Sequence, residues 1–197
     1  MDVEDIGKFL IAIQGSKYEY PLFVAVFTGL RQGELLGLTW DCVDFENGLL
    51  LINNQHNRVK GDTEFRFASL KNDKALVLTV AGEVMEVLNL QKRRQEVWAA
   101  MLGDGWSNSD NLVFTTEFGR YINNKVLYQN FKRIMKKLGN PNLRFHDLRH
   151  PYVRHTTKIF SLRLMDFQAQ AYVVTAVQSN AIERRFSLTL SRFHFRI

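Results

Sequence analysis

Hydrophobic residues recur at helical spacing in several stretches of this 197-residue chain. In the first stretch Ile6, Phe9, Leu10 and Ile13 lie three or four positions apart, which puts them on one face of a helix. The predicted helices cover residues 3–14, an apolar run from Pro21 to Thr28, and residues 31–38, 81–101 and 123–138. Proline at the start of the second run and Gly139 after the last helix are typical of helix boundaries.

Three short apolar runs in the middle of the chain predict β-strands. They are Gly48–Ile52, Phe65–Ser69 and Leu76–Leu78. The first follows an Asn-Gly turn signal, and the second has the alternating pattern of a half-buried strand. Polar stretches at 53–64 and 71–74 separate the runs, which favours one small three-stranded antiparallel sheet. The expected fold is therefore mainly α with this minor sheet, an α+β class.

The charge of the chain is unevenly distributed. Residues 1–119 hold 11 basic and 17 acidic residues, a net charge of −6, whereas residues 120–197 hold 15 and 3, a net of +12. A basic half of this kind is typical of a surface that meets a polyanion such as nucleic acid. A solvated basic surface without a partner is the alternative that charge alone leaves open.

The composition narrows the class of protein. An apolar fraction of 46% and a charged fraction of 23% are typical of a globular domain, and no stretch has the roughly 20 apolar residues of a membrane span. Cys42 is the single cysteine, so neither an internal disulfide nor a thiolate-rich zinc site is expected. The acidic N-terminal segment lacks the layout of a secretory signal. We expect a cytoplasmic protein without membrane association.

Two short motifs in the first half of the chain carry basic residues in turns. In Thr28-Gly-Leu-Arg-Gln-Gly-Glu-Leu35, glycines flank Arg31 between two apolar helices, a pattern that directs a guanidinium out of a tight corner. Glu34 follows at a spacing from which it could orient Arg31. Lys71 and Lys74 lie between the second and third predicted strands. Spacing alone favours an ordinary capping arginine at position 31 and solvated lysines at positions 71 and 74.

The third motif, Phe145-His-Asp-Leu-Arg-His150, permits two interpretations. His146 and Arg149 share a helical face and could bind one phosphate. His146 and His150, at a spacing of four, could instead form a metal pair, with Asp147 or His155 as the additional ligand. The metalloprotease motif needs glutamate where Asp147 stands, and Arg149 would repel a cation.

Residues 22–150 resemble the catalytic domain of tyrosine recombinases, the phage integrase family. The resemblance is carried by TGLRQGELLGLTWDCVDF, by the stretch from LVFTTEFGR to LRFHDLRH, and by the lysine-bearing segment between them. By position, the resemblance implies that Arg31, Lys71 (or Lys74), His146 and Arg149 are catalytic, with Glu34 and His150 in supporting roles. It also implies metal-independent chemistry without a cofactor, on double-stranded DNA, by a homo-oligomer that forms a tetrameric synapse.

The implied reaction suits this set of residues. Transesterification at a DNA phosphate adds negative charge to the free oxygens, which two arginines can stabilise with forked hydrogen bonds. A lysine can protonate the leaving 5′-oxygen. A tyrosine nucleophile forms a 3′-phosphotyrosyl intermediate that stores the energy for rejoining the strands. The implied function is site-specific DNA recombination or integration in a mobile genetic element.

The tail of the chain departs from the family pattern. The nucleophile is expected near Ala181, where no tyrosine lies. Tyr172 is the candidate nucleophile that remains, and Tyr152 lies beside the His-x-x-Arg box. We therefore divide the chain into a catalytic domain, 1–157, and an atypical C-terminal tail, 158–197, either rearranged or exchanged between protomers. The alternative function is a cleavage-deficient, DNA-binding remnant of a recombinase.

Overall fold

A computed structural model describes residues 3–58, 65–69 and 75–149 of the chain. In these ranges it has five α-helices, which we number in chain order. They are α1 (Val3–Ile13), α2 (Glu19–Thr28), α3 (Gln32–Leu36), α4 (Gly82–Leu102) and α5 (Asn124–Lys137). Short 3-10 turns cover Trp40–Cys42, Gly103–Gly105 and Phe145–Arg149. All five predicted helices are thus present, and their ends differ from the predicted ones by a few residues at most.

Helix α2 is the central element of the domain. Every residue from Tyr20 to Val26 is buried, because the helix contacts α1, α3, α4 and the Phe145–Arg149 turn. Its apolar side chains therefore face neighbours on all sides, as expected of a fully buried helix. The helix ends at Gly29, which takes the left-handed conformation (φ 64°) and donates its N–H to the carbonyl of Ala25. Glycine adopts that conformation without steric cost.

Aromatic rings connect the two ends of the described chain. Phe131 of α5 contacts Phe9 of α1, with ring centroids 5.9 Å apart, and Phe145, at 5.5 Å. Both pairs are edge-to-face, a favourable arrangement of aromatic quadrupoles. Phe9 and Phe131 are fully buried. The turn at residues 145–149 is therefore packed against the same core as the first helix.

The three strands that form the sheet are not the three predicted from the sequence. The three-stranded antiparallel sheet has the order β1 (Val43–Asp44), β2 (Leu49–Ile52) and β5 (Leu76–Thr79). Strand β4 (Phe65–Ser69) instead pairs with β3 (Asn54–Arg58) in a separate two-stranded ribbon. The prediction was correct that the sheet has three antiparallel strands, and wrong that residues 65–69 belong to it. Because residues 54–58 are entirely polar, their sequence carried no hydrophobic strand signal.

Helix α4 holds the extended segment 112–115 through two buried glutamines. The Nε2 group of Gln95 lies 3.0 Å from the carbonyls of Leu112 and Val113 and from the hydroxyl of Thr115, and its Oε1 accepts from Trp40 at 2.9 Å. Gln91 donates to the carbonyl of Val113 at 3.0 Å. Together with a bond from the side-chain amide of Asn108 to the carbonyl of Leu112 at 2.9 Å, these bonds satisfy the carbonyls of the buried segment.

Candidate functional site

Arg31 lies at the corner between α2 and α3. Its backbone is extended (φ −65°, ψ 151°), and its carbonyl accepts the first hydrogen bond of α3, from the N–H of Leu35 at 2.9 Å. Gly29 makes the sharp exit from α2 that this corner requires. The side chain of Arg31 is 62% exposed, so its guanidinium remains accessible to a ligand.

Glu34 holds Arg31 from within the same turn. Its Oε2 accepts from the backbone N–H of Arg31, and its Oε1 accepts from Nη1, both at 2.8 Å. The Glu34 side chain is only 6% exposed. The carboxylate thus caps the first turn of α3 and orients the guanidinium at the same time.

The His-x-x-Arg motif forms a 3-10 turn at Phe145–Arg149. Positions three apart eclipse in such a turn, so positions 146 and 149 lie on the same side of it. Phe145 and Leu148 are buried, whereas His146 is exposed. Burial of the two apolar residues anchors the turn and leaves the histidine at the surface.

Asp147 is engaged by Arg144, which precedes the turn. Its carboxylate accepts from the backbone N–H of Arg144 at 2.8 Å, from Nε at 3.3 Å and from Nη2 at 3.0 Å. Hydrogen bonds from the Arg144 side chain, and then from its backbone N–H, lower the pKa of Asp147. An aspartate held in this way is a poor candidate for the metal ligand that the alternative interpretation needs. His150 and His155 lie outside the described residues.

Helix α2 brings the two motifs into one region of the domain. Arg31 follows the C-terminal end of α2, and the Phe145–Arg149 turn contacts the same helix. Helix α3 also contacts α5, where Gln32 donates through Nε2 to the carbonyl of Asn124 at 2.5 Å. Residues more than a hundred positions apart along the chain are therefore carried by mutually packed elements.

The candidate lysines and tyrosines lie outside the described residues. Lys71 and Lys74 belong to the segment that connects β4 to β5, Tyr152 and Tyr172 to the segment after residue 149, and the boundary at 157/158 lies there too. The strands on either side of this segment pair with other strands and not with each other, since β4 pairs with β3 and β5 pairs with β2. Strand β3 contacts α3, so the ribbon begins beside the Arg31 corner.

Two further polar residues at this site were not singled out from the sequence. Arg144 could have been found from its spacing to Asp147, an acid three residues later, which matches the spacing of Arg31 and Glu34. Gln32 had no comparable signal, because its partner, Asn124, is remote in sequence.

Solved structures define the class of fold. An integrase of the Tn1549 transposon, in complex with circular intermediate DNA, matches with a TM-score of 0.63 and 22% identity over 77% of this chain and 52% of that one. The XerH site-specific recombinase, bound to its palindromic difH substrate, gives a TM-score of 0.54 and 24% identity, over 76% and 39% of the two chains. The XerA recombinase gives 0.56 and 15%, over 83% and 58%. The fold is that of the tyrosine recombinase catalytic domain.

Sequence comparison identifies the family. The model of the phage integrase family matches residues 2–158. A tyrosine recombinase XerC-like protein of Caldanaerobacter subterraneus subsp. tengcongensis is 32% identical over 167 residues, which is 80% of this chain and 42% of that protein. The chain belongs to the phage integrase family, and it spans less than half the length of this relative. Among the described helices, none is long and apolar enough to cross a membrane.

Proposed function

We propose that this chain is the catalytic part of a site-specific tyrosine recombinase, which breaks and rejoins double-stranded DNA in the cytoplasm as part of a mobile element. The observation that carries the proposal is the packing of α2 against both α3 and the Phe145–Arg149 turn, in a chain of the phage integrase family. The DNA complexes of the transposon integrase and of XerH support DNA as the substrate.

In the proposed reaction the protein binds the scissile phosphate through fixed cationic groups. Arg31, oriented by Glu34, and Arg149 donate to the non-bridging oxygens, where negative charge increases in the transition state. His146 hydrogen-bonds the phosphate or takes the nucleophile's proton, and Lys71 (Lys74 as the alternative) protonates the leaving 5′-oxygen. His150 supports this pocket from its edge. The reaction needs neither a metal nor a cofactor.

The nucleophile in this scheme is a tyrosine hydroxyl. Its oxygen attacks the phosphorus, the bond to the 5′-oxygen breaks, and the protein is left joined to the 3′-phosphate. Attack by a free 5′-hydroxyl reverses these changes on the recombinant strand. Tyr172 is our candidate for this residue, and the active assembly is a homotetramer on two DNA duplexes, formed with the tail 158–197 exchanged or rearranged.

A second candidate function is a cleavage-deficient DNA-binding remnant. It is favoured by one sequence observation, the absence of a tyrosine near Ala181, where the family layout puts the nucleophile. The phosphate-binding residues would persist in such a protein, and DNA would bind without being cut.

Suicide DNA substrates distinguish the two functions. Nicked duplexes made from the DNA that flanks the coding region would trap a covalent protein–DNA adduct, which is visible after denaturing electrophoresis. An adduct that disappears in Tyr172→Phe and persists in Tyr128→Phe, a control at an exposed tyrosine of α5, supports catalysis through Tyr172. Salt-dependent DNA binding without any adduct supports the remnant. A vanadate ion bound away from Arg31 and Arg149 in a crystal would contradict both.

A further inference from the structure

Arg144 has a guanidinium that is both exposed and fixed in orientation. Asp147 accepts from its Nε at 3.3 Å and from its Nη2 at 3.0 Å, yet 70% of the Arg144 side chain remains exposed. Long cationic side chains normally lose rotamer freedom when they bind a ligand. A guanidinium that is already held by a planar fork loses less, so Arg144 is prepared for an oxyanion that approaches from solvent.

The arrangement repeats the one at Arg31. In both places an arginine precedes a helical turn, and the acid three residues later accepts from its backbone N–H at 2.8 Å. In both places the same carboxylate also accepts from the guanidinium, at 2.8 Å for Arg31 and 3.0 Å for Arg144. An oriented, solvent-exposed arginine therefore directly precedes both helical turns of the candidate site, the first turn of α3 and the Phe145–Arg149 turn.

The hydrogen bonds to Asp147 do not use all the N–H donors of the Arg144 guanidinium. The fork uses Nε and Nη2, and among the described residues no acceptor lies at Nη1. An aspartate is already ionised at neutral pH, and the hydrogen bonds from Arg144 lower the pKa of Asp147 further, so the fork persists under physiological conditions. A phosphate oxygen can then bind at Nη1 without displacing Asp147.

The surroundings of Arg144 are basic. Asp147 is the only acidic residue between positions 120 and 149, a range that contains eight lysines and arginines. On α5, Lys125, Arg133 and Lys136 are exposed, and Lys132 donates to the carbonyl of Leu143 at 3.0 Å. That bond holds the segment before Arg144 against α5. A fixed arginine in a basic surface next to His146 is suited to a phosphodiester backbone.

We propose that Arg144 is a DNA-binding residue. Its guanidinium binds a DNA backbone phosphate beside the one held by Arg31, His146 and Arg149. The inference rests on the proposed function, because it assumes that DNA lies across this site. A residue that only caps the 145–149 turn would make the same contacts with Asp147 but would not contact DNA. The two roles predict different salt dependences of binding.

Salt titration of the full chain on a double-stranded oligonucleotide separates these roles. Removal of one phosphate-binding cation reduces the slope of log K against log salt by about 0.9. We expect that reduction in Arg144→Gln and a wild-type slope in Arg144→Lys, which keeps the charge. Lys8→Gln is the matched control, because it removes one exposed cation from α1, where Lys8 pairs with Glu4 at 2.7 Å, and its slope should equal that of the wild type.

The outcomes separate failure of this inference from failure of the proposed function. If the wild-type slope is steep and Arg144→Gln has the same slope, then Arg144 does not bind a phosphate. The recombinase proposal is unaffected by that result. A wild-type chain that binds DNA without salt dependence contradicts the recombinase proposal itself. If Arg144→Gln does not fold, modification of the wild-type chain by an arginine-specific dicarbonyl gives the answer. DNA should protect Arg144 from modification, and equal modification with and without DNA overturns the inference.

Discussion

The buried carboxylate of Glu34 accepts two hydrogen bonds from Arg31, one from its backbone N–H and one from Nη1, each 2.8 Å long. One acid therefore fixes both the start of α3 and the direction of an exposed guanidinium. The same carboxylate stabilises the corner between α2 and α3 and orients a side chain of the candidate site. The first contribution can be measured as a free energy of unfolding and the second as an affinity for DNA.

We predict that Glu34→Ala lowers the free energy of unfolding by about 1–2 kcal/mol, because the first turn of α3 loses its cap. Urea denaturation measures this change. Glu4→Ala is the control, since Glu4 pairs with Lys8 at the surface, where its side chain is 78% exposed, and such pairs contribute about 0–1 kcal/mol. Equal effects of the two substitutions would contradict a capping role for Glu34. DNA affinity should fall in Glu34→Ala only.

Gly119 is predicted to tolerate no side chain. A Cβ at this position would lie 2.4 Å from the carbonyl oxygen of Ser107, and the backbone is left-handed, with φ 79°. We expect Gly119→Ala to lower the free energy of unfolding by more than about 2 kcal/mol. Gly139→Ala tests the conformational cost alone, because Gly139 has φ 80° and no atom lies within 4 Å of a Cβ built there. Its loss of stability should be about 1–2 kcal/mol, the cost of the left-handed conformation for an L-residue. Equal losses would show that Ser107 moves aside.

Glu19 should make the stability of the domain fall as pH rises above the ordinary glutamate pKa. Burial raises the pKa of Glu19, against the opposing effects of the hydrogen bond from the Gly15 N–H and the charge of Arg94. The folded state then binds the proton more tightly than the unfolded state, so stability is lost as pH rises from the unfolded pKa through the folded one.

Glu19→Gln tests this dependence through chemical denaturation at a series of pH values. Relative to the wild type, the variant should gain stability across that window and then reach a plateau. Asp44→Asn should show the opposite sign, because hydrogen bonds from Asn47 lower the pKa of Asp44 and its stabilising contribution is lost as pH falls. The prediction is refuted if the free energies of unfolding of Glu19→Gln and of the wild type differ by the same amount at every pH.

Gln95 is predicted to contribute more to stability than Gln91. Replacing Gln95 with leucine removes its bonds to Trp40, Leu112, Val113 and Thr115. The indole N–H of Trp40 and the hydroxyl of Thr115 lose this partner, at about 1–3 kcal/mol for each group left unsatisfied, whereas the carbonyls of Leu112 and Val113 keep bonds from Asn108 and Gln91. Gln91→Leu removes the bond from Gln91 to the carbonyl of Val113. Urea unfolding of both variants compares them at nearly constant side-chain volume. A smaller loss in Gln95→Leu than in Gln91→Leu would contradict the assignment.

The elements with strong periodicity were predictable, and those that depend on a remote partner were not. Helix α5 was predicted within a residue at each end, because Leu127, Phe131 and Ile134 repeat at helical spacing and Asn123 supplies the cap. Strand β4 was recognised by its alternation, yet its partner was not, because β3 consists of polar residues. Pairing depends on hydrogen bonds between strands, which leave no mark on the pattern of a single segment.

The sequence by itself determined the family, the residues that make up the two arginine-bearing motifs and the five described helices, because those depend on residue identity and on contacts within a few positions. The bond between Arg31 and Glu34 also belongs to this class, since its partners share one turn. Only the tertiary structure decided that the Arg31 corner and the Phe145–Arg149 turn lie against the same helix, and that β4 leaves the main sheet. Such contacts join residues far apart along the chain, and they form where the combined burial of many side chains outweighs the entropy of ordering the chain between them.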